Sequence, residues 1–275
     1  MNRIHAQLLY WFCLCCIAMA ATLFVVIVAA LVFHLDDVAQ PVQRRYGIAL
    51  LGERRSNTVV VMDQRQVERR PEIAVEPPAK IVDDTVAVVV SGRFAELGAA
   101  EQIEVGVQEA ALAFGSLGAT VARAHGEQFD GEGLVNALAA KLVGHKRALI
   151  YITTHGIQLV RNRHQVGFGL CLDCDADRML LPSDLKRLLD YLQQHGTRQI
   201  VVVIEACYSG SAIETLRGKG RTIVTSSGVD DQSMGGVFSR EFLRCLSGGM
   251  EMGECFDKGR LAVLGYGQSP QMTVN

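Results

Sequence analysis

Three apolar runs limit what this chain can fold into. Thr85-Val-Ala-Val-Val-Val90, Arg147-Ala-Leu-Ile-Tyr-Ile-Thr153 and Gln199-Ile-Val-Val-Val-Ile204 are almost continuous in β-branched and aliphatic residues. A strand wetted on one face alternates apolar with polar residues, whereas an unbroken run needs cover on both faces. Between and after the runs lie segments with helical spacing: Ile103–Leu117, stopped by Gly118, then Gly133–Leu142, Asp184–Gln194, Phe238–Leu246 and about Met250–Leu264. Ala119–Ala124 and Thr222–Thr225 read as further strands. Leu159–Leu172 loosely alternates and predicts a hairpin turning through Arg161-Asn162-Arg163, and Ser183 is a candidate N-cap. Strands alternating with helices of ten or more residues imply an α/β fold: a mainly parallel sheet between two helical layers, occupying residues 85–275.

Upstream the character changes. No charge interrupts Leu8–Phe33. As a helix this run would extend roughly 39 Å at about 1.5 Å per residue, more than the ~30 Å of a bilayer core. It is also longer than the apolar region of a cleaved signal peptide, about 7–15 residues. Residues 1–34 are therefore expected to be a retained single-pass anchor with a transmembrane helix over 8–33; a buried core helix or a long signal peptide are the alternatives. Arg3 precedes the run, while Arg44, Arg45, Arg54 and Arg55 follow it, a count that leans toward a cytoplasmic C-terminal part. Residues 35–84 hold four of the six prolines (Pro41, Pro71, Pro77, Pro78) and read as a linker.

Charge excludes one class of partner. The 27 basic and 29 acidic residues give a net charge of −2, and aromatics are 6% with one Trp. That balance gives no electrostatic footprint for nucleic acid, and so few aromatics argue against a base-stacking surface. The eight cysteines do not read as a disulfide framework. Cys13, Cys15 and Cys16 lie in the apolar run, and the other five (Cys171, Cys174, Cys207, Cys245, Cys255) are an odd number, which leaves at least one thiol free.

In open parallel sheets, sites gather at the carboxyl ends of strands. Two of the strong strands end unusually, as Tyr151-Ile-Thr-Thr-His155-Gly156 and Ile204-Glu-Ala-Cys207-Tyr-Ser-Gly210. If the strands are neighbours, His155 and Cys207 lie side by side. An imidazole beside a thiol can take its proton and create the nucleophilic thiolate. Amides at Gly156 and Cys207 would then face a developing oxyanion, and Gly156 would let a substrate carbonyl approach the main chain. The two residues are 52 positions apart, close to the caspase spacing of about 50. Cys171-Leu-Asp-Cys174, with His164 nearby, is open to zinc ligation, to redox chemistry or to simple packing.

Thr153-Thr-His-Gly156 and Ile204-Glu-Ala-Cys-Tyr-Ser-Gly-Ser211 resemble the two active-site motifs of the legumain family of cysteine peptidases. That family includes the catalytic subunit of the glycolipid-anchor transamidase and shares a structural clan with caspases. The resemblance implies a caspase-like three-layer α/β/α sandwich, with His155 as catalytic histidine and Cys207 as nucleophile. It also implies an oxyanion hole at Gly156 and Cys207, a protein or peptide substrate, and no metal or organic cofactor. It places Glu205, with Ser226 and Ser227, at the pocket for the residue before the cut bond, where caspases carry Gln in place of Glu205. A carboxylate there favours Asn or a basic residue and opposes Asp; alternatively, Glu205 bonds backbone amides and never meets substrate. Asp230 and Asp231 either add charge to that pocket or belong to a solvated loop. The short stretch Ser211–Arg221 after the nucleophile leaves little room for the processing linker of two-chain caspases. Hydrolysis, transpeptidation through the same thioester, and a non-enzymatic membrane scaffold remain open on sequence alone.

Overall fold

The computed structural model describes residues 72–77, 82–93, 97–161, 164–176 and 178–274. The expected transmembrane helix over 8–33 and most of the 35–84 linker lie outside the described residues. Among the described residues, no helix is long and apolar enough to cross a membrane.

The three apolar runs become β1 (Val82–Ser91), β3 (His145–Thr153) and β7 (Gln199–Glu205) of one sheet. With β2 (Ala119–His125), β8 (Arg221–Thr225) and β9 (Gln271–Val274) they form six strands in the order β2-β1-β3-β7-β8-β9. Every pairing is parallel except β8 with β9. Successive side chains on a strand point to opposite faces, so one run feeds two cores. Val86, Val88 and Val90 join Ile150, Ile152, Val202 and Ile204 on one face. Ala87 and Val89 join Tyr151, Val203 and Val224 on the other. The first face is covered by α2 (Gly131–Leu142), α3 (Pro182–Gln194) and the short α4 (Ile213–Leu216). The second is covered by α1 (Leu97–Ser116), α5 (Val237–Ser247) and α6 (Met252–Val263). The three-layer α/β/α arrangement follows from this two-sided burial.

The expected hairpin forms between β4 (His155–Arg161) and β5 (His164–Asp173), and β6 (Arg178–Leu180) adds a third strand. Phe168, Leu170 and Leu172 of β5 enter the first core and fasten this small sheet to the large one.

Three expectations need correction. Ser183 is not the N-cap: α3 starts at Pro182, and the Asp184 carboxylate accepts from the Leu181 N–H at 3.1 Å. Proline presets the first helical φ, and an acidic group three positions in satisfies an orphan donor from inside the helix. The cysteines also pair more than expected. Cys171 bonds Cys174, and Cys245 bonds Cys255, leaving Cys207 as the free thiol among the described residues. The tight turn after β5 and the side-by-side packing of α5 and α6 bring the Cα atoms of each pair to 5.5 and 5.2 Å, within ordinary disulfide reach. Finally, part of the presumed linker is core. Ile73 is 9% exposed within the first core and Val75 packs against it. The Ala74 N–H donates to Asn136 Oδ1 at 3.1 Å, and the Tyr191 hydroxyl donates to the Val75 carbonyl at 2.5 Å.

Residues 72–77 thus strap α2 to α3. Burying a large aliphatic side chain is worth about 2–3 kcal/mol. A chain beginning at Ala79 should therefore unfold roughly 5–10 °C below one beginning at Glu72. Thermal denaturation of the two checks this; equal midpoints would show that the strap contributes nothing.

Candidate active site

The β3–β7 register places Thr153 opposite Glu205, at the carboxyl ends of both strands. One residue on, the Thr154 N–H still donates to the Glu205 carbonyl at 3.1 Å. His155 and Cys207 each lie two positions beyond the Thr153–Glu205 pair, as expected for neighbouring strands. The chain then diverges. His155 opens β4, opposite Cys171 of β5, and is half-buried. The two motifs approach closely at Gly156, where a Cβ would stand 1.7 Å from the Cys207 carbonyl oxygen. No side chain fits there, which is the physical reason for His-Gly at this strand end.

Cys207 sits at the start of a sharp turn. Tyr208 has φ +58°, the one left-handed non-glycine among the described residues. Such a conformation costs about 1–3 kcal/mol and persists only where surroundings enforce it. Here the surroundings are the segment after β8. Tyr208 N–H donates to the Asp231 carbonyl at 2.9 Å and Gly210 N–H to the Gly228 carbonyl at 3.3 Å. Ala206 N–H donates to Ser226 Oγ at 3.2 Å and Ser209 N–H to Ser227 Oγ at 3.0 Å.

These contacts show what the residues expected at the pocket bond. Ser226 and Ser227 are fully buried, and their hydroxyls bond the turn around Cys207, which they brace. Glu205 is 6% exposed. Its carboxylate accepts from the Ser233 hydroxyl and, at 3.3 Å, from the Ser239 N–H in the first turn of α5. A helix N-terminus is a favourable seat for a carboxylate. Of the two readings of Glu205, the one in which it bonds internal donors matches this geometry. Asp231 is partly engaged as well, its Oδ2 accepting from Ser269 N–H at 2.5 Å, whereas Asp230 is exposed.

Ser233, Gln268 and Ser269 were not singled out by sequence reasoning. Gln268 accepts from Met234 N–H at 2.9 Å and donates to the Ser226 carbonyl, pinning the segment between β8 and α5. The Ser233 N–H donates to Cys207 Sγ at 3.4 Å. No local spacing marks these residues, because each acts across a long sequence separation.

Burial pushes the Cys207 thiol above its ordinary range; the Ser233 amide opposes this, and the carboxylates of Glu205 and Asp231 reinforce it. A thiol raised in this way needs a base to ionise. Among the described residues no cluster of His, Cys, Asp and Glu could hold a metal ion. The pairing of Cys171 with Cys174 also takes both sulfurs out of zinc ligation.

Residues 143–256 match the model of the Peptidase C13 family, and the matched stretch contains both His155 and Cys207. The resemblance to the legumain family of cysteine peptidases rests on that match, which spans less than half of the chain. Among solved structures, the crystal structure of caspase-1 from Spodoptera frugiperda is similar at 14% identity, covering 74% of this chain and 92% of that one with a TM-score of 0.48. None of the curated proteins compared with the chain matches it.

The charge beside the thiol gives a signed prediction. Glu205→Gln removes a carboxylate that disfavours the thiolate, while its amide oxygen can still accept from the Ser239 N–H and its NH2 can donate to the Ser233 hydroxyl oxygen. Alkylation of Cys207 by iodoacetamide at neutral pH should become several-fold faster, read by mass spectrometry of the Cys207 peptide. A slower or unchanged rate would contradict the electrostatic account.

Proposed function

We propose that this chain, with its Peptidase C13-like stretch, is a membrane-anchored cysteine endopeptidase that cuts peptide bonds with a His155–Cys207 dyad. The observation that carries the reading is the fit of Gly156 against the Cys207 carbonyl, with His155 immediately before it. The Cys207 sulfur attacks the carbonyl carbon of the scissile bond while its proton passes to His155. The negative charge gathers on the carbonyl oxygen, facing the amides of Gly156 and Cys207. His155 returns the proton to the leaving amine as the carbon–nitrogen bond breaks, leaving a thioester. Water, deprotonated by His155, then attacks the thioester, and the acid product leaves with the thiol restored. A thiol held above its ordinary range suits this sequence, because ionisation is deferred until the imidazole and substrate are in place.

Cys207→Ala should abolish hydrolysis with folding retained, and His155→Ala should lower kcat by two or more orders of magnitude. Assays of peptide hydrolysis by the full chain check both. Undiminished turnover in Cys207→Ala would remove the nucleophile assignment.

Specificity is read from charge. Glu205 and Asp231 carry negative charge to the surroundings of Cys207, and exposed Asp230 lies next to Asp231 in the chain; at a distance, and without Glu205 touching the substrate, this charge favours a basic or Asn side chain before the cut bond and opposes Asp. In a positional-scanning peptide library, Arg, Lys or Asn should exceed Asp at that position. Preference for Asp would overturn this part of the reading.

Leu8–Phe33 supplies the anchor, on the strength of its length without a charge. The Cys171–Cys174 and Cys245–Cys255 pairs favour an oxidising compartment for the catalytic domain. This outweighs the lean of the flanking arginines toward a cytoplasmic domain, because large domains translocate largely regardless of charge. The full chain should stay with membranes through carbonate washing, and its release with Met1 still present would contradict the anchor.

A further inference from the structure

The segment between β8 and α5 does more than close the fold. Ser233 lies in its irregular part, where an amide has no ladder or helix to orient it. Its N–H nonetheless faces the Cys207 sulfur at 3.4 Å. Its hydroxyl is used twice: it donates to Glu205 Oε1 and accepts from Ser226 Oγ at 3.2 Å. The next residue is held independently, through Met234 N–H on Gln268 Oε1 at 2.9 Å.

We propose that Ser233 is a positioning residue for the nucleophile: its hydroxyl, held between Glu205 and Ser226, keeps its main-chain N–H on the Cys207 sulfur, where it stabilises the thiolate. The inference rests on Cys207 being the nucleophile and adds a group to that same site.

The charged groups around the sulfur make this donor matter. Glu205 at the end of β7 and Asp231 in the segment after β8 both disfavour a thiolate, as does burial. His155 at the start of β4 is the group that takes the proton. The Ser233 amide works against burial and the two carboxylates, and a hydrogen bond to the charged form favours that form. Glu205 thereby has two opposed effects. Its charge raises the cost of ionising Cys207, while its hydrogen bond to the Ser233 hydroxyl secures the amide that lowers that cost. The serine hydroxyl couples the two, and alanine at this position would leave a buried carboxylate oxygen short of a donor and the amide untethered.

The test is the pH dependence of iodoacetamide alkylation at Cys207, resolved by peptide mass spectrometry on the full chain in detergent. In Ser233→Ala the midpoint should rise by about one pH unit, so that alkylation near neutral pH falls roughly tenfold. Ser233→Thr, which keeps the hydroxyl, should restore it. Peptide hydrolysis should lose kcat with KM little changed. A purely structural serine would lower the melting temperature and leave the alkylation profile in place, and that result overturns the inference. Should Ser233→Ala fail to fold, Ser226→Ala, which removes the donor to the Ser233 hydroxyl together with the acceptor of the Ala206 N–H, should shift the profile in the same direction; an unshifted profile there also overturns it. Alkylation follows the thiol whether or not the chain cuts peptides. An unmoved profile together with hydrolysis that Cys207→Ala abolishes thus rejects the role of Ser233 alone, and hydrolysis that survives Cys207→Ala rejects the peptidase reading.

Discussion

Parallel pairing of β3 with β7 is the constraint on which the site depends. Parallel strands have their carboxyl ends on the same edge, so two motifs far apart in sequence emerge together. The register that sets Thr153 opposite Glu205 also sets His155 and Cys207 at equal distances beyond the last pair. A slip of one residue would turn every side chain of β7 to the opposite face, and burial of Val202 and Ile204 in one core and Val203 in the other forbids it. The hydrophobic alternation that builds the two cores therefore also fixes where His155 and Cys207 leave the sheet.

The turn that follows is held by side chains spent on structure. Ser226, Ser227 and the carbonyls of Gly228 and Asp231 satisfy the amides of Ala206, Ser209, Gly210 and Tyr208. This lattice stabilises the left-handed Tyr208 and gives Cys207 a fixed direction. Its cost is electrostatic, since Glu205 and Asp231 enter the same region as carboxylates. A thiol set against such charge resists ionisation at rest, and a peptidase of this kind would then depend on its histidine for every turnover.

Much of this was legible in the sequence. The strands come from the apolar runs, because two-sided burial leaves a composition that helices and exposed strands do not share. The pairing of His-Gly with Ala-Cys was legible because each sits at a strand end before turn residues. β6 and β9 were not seen, being three and four residues long with no period to read. The packing of Ile73 was hidden in a proline-rich stretch, where one apolar residue carries no pattern. The disulfides depend on how α5 meets α6 and on the turn after β5, which spacing alone cannot specify. That Ser226 and Ser227 hydroxyls bond the Ala206 and Ser209 amides is not legible, because sequence gives position near a strand end but not which way a short hydroxyl turns.

The most direct test is the site of covalent capture. A peptide acyloxymethyl ketone carrying Arg or Asn next to the warhead should add its mass to the full chain once, on the peptide containing Cys207. Labelling should be much slower in His155→Ala. Adduct on Cys171, Cys174, Cys245 or Cys255 with Cys207 unlabelled, or equal labelling rates with and without His155, would contradict the dyad.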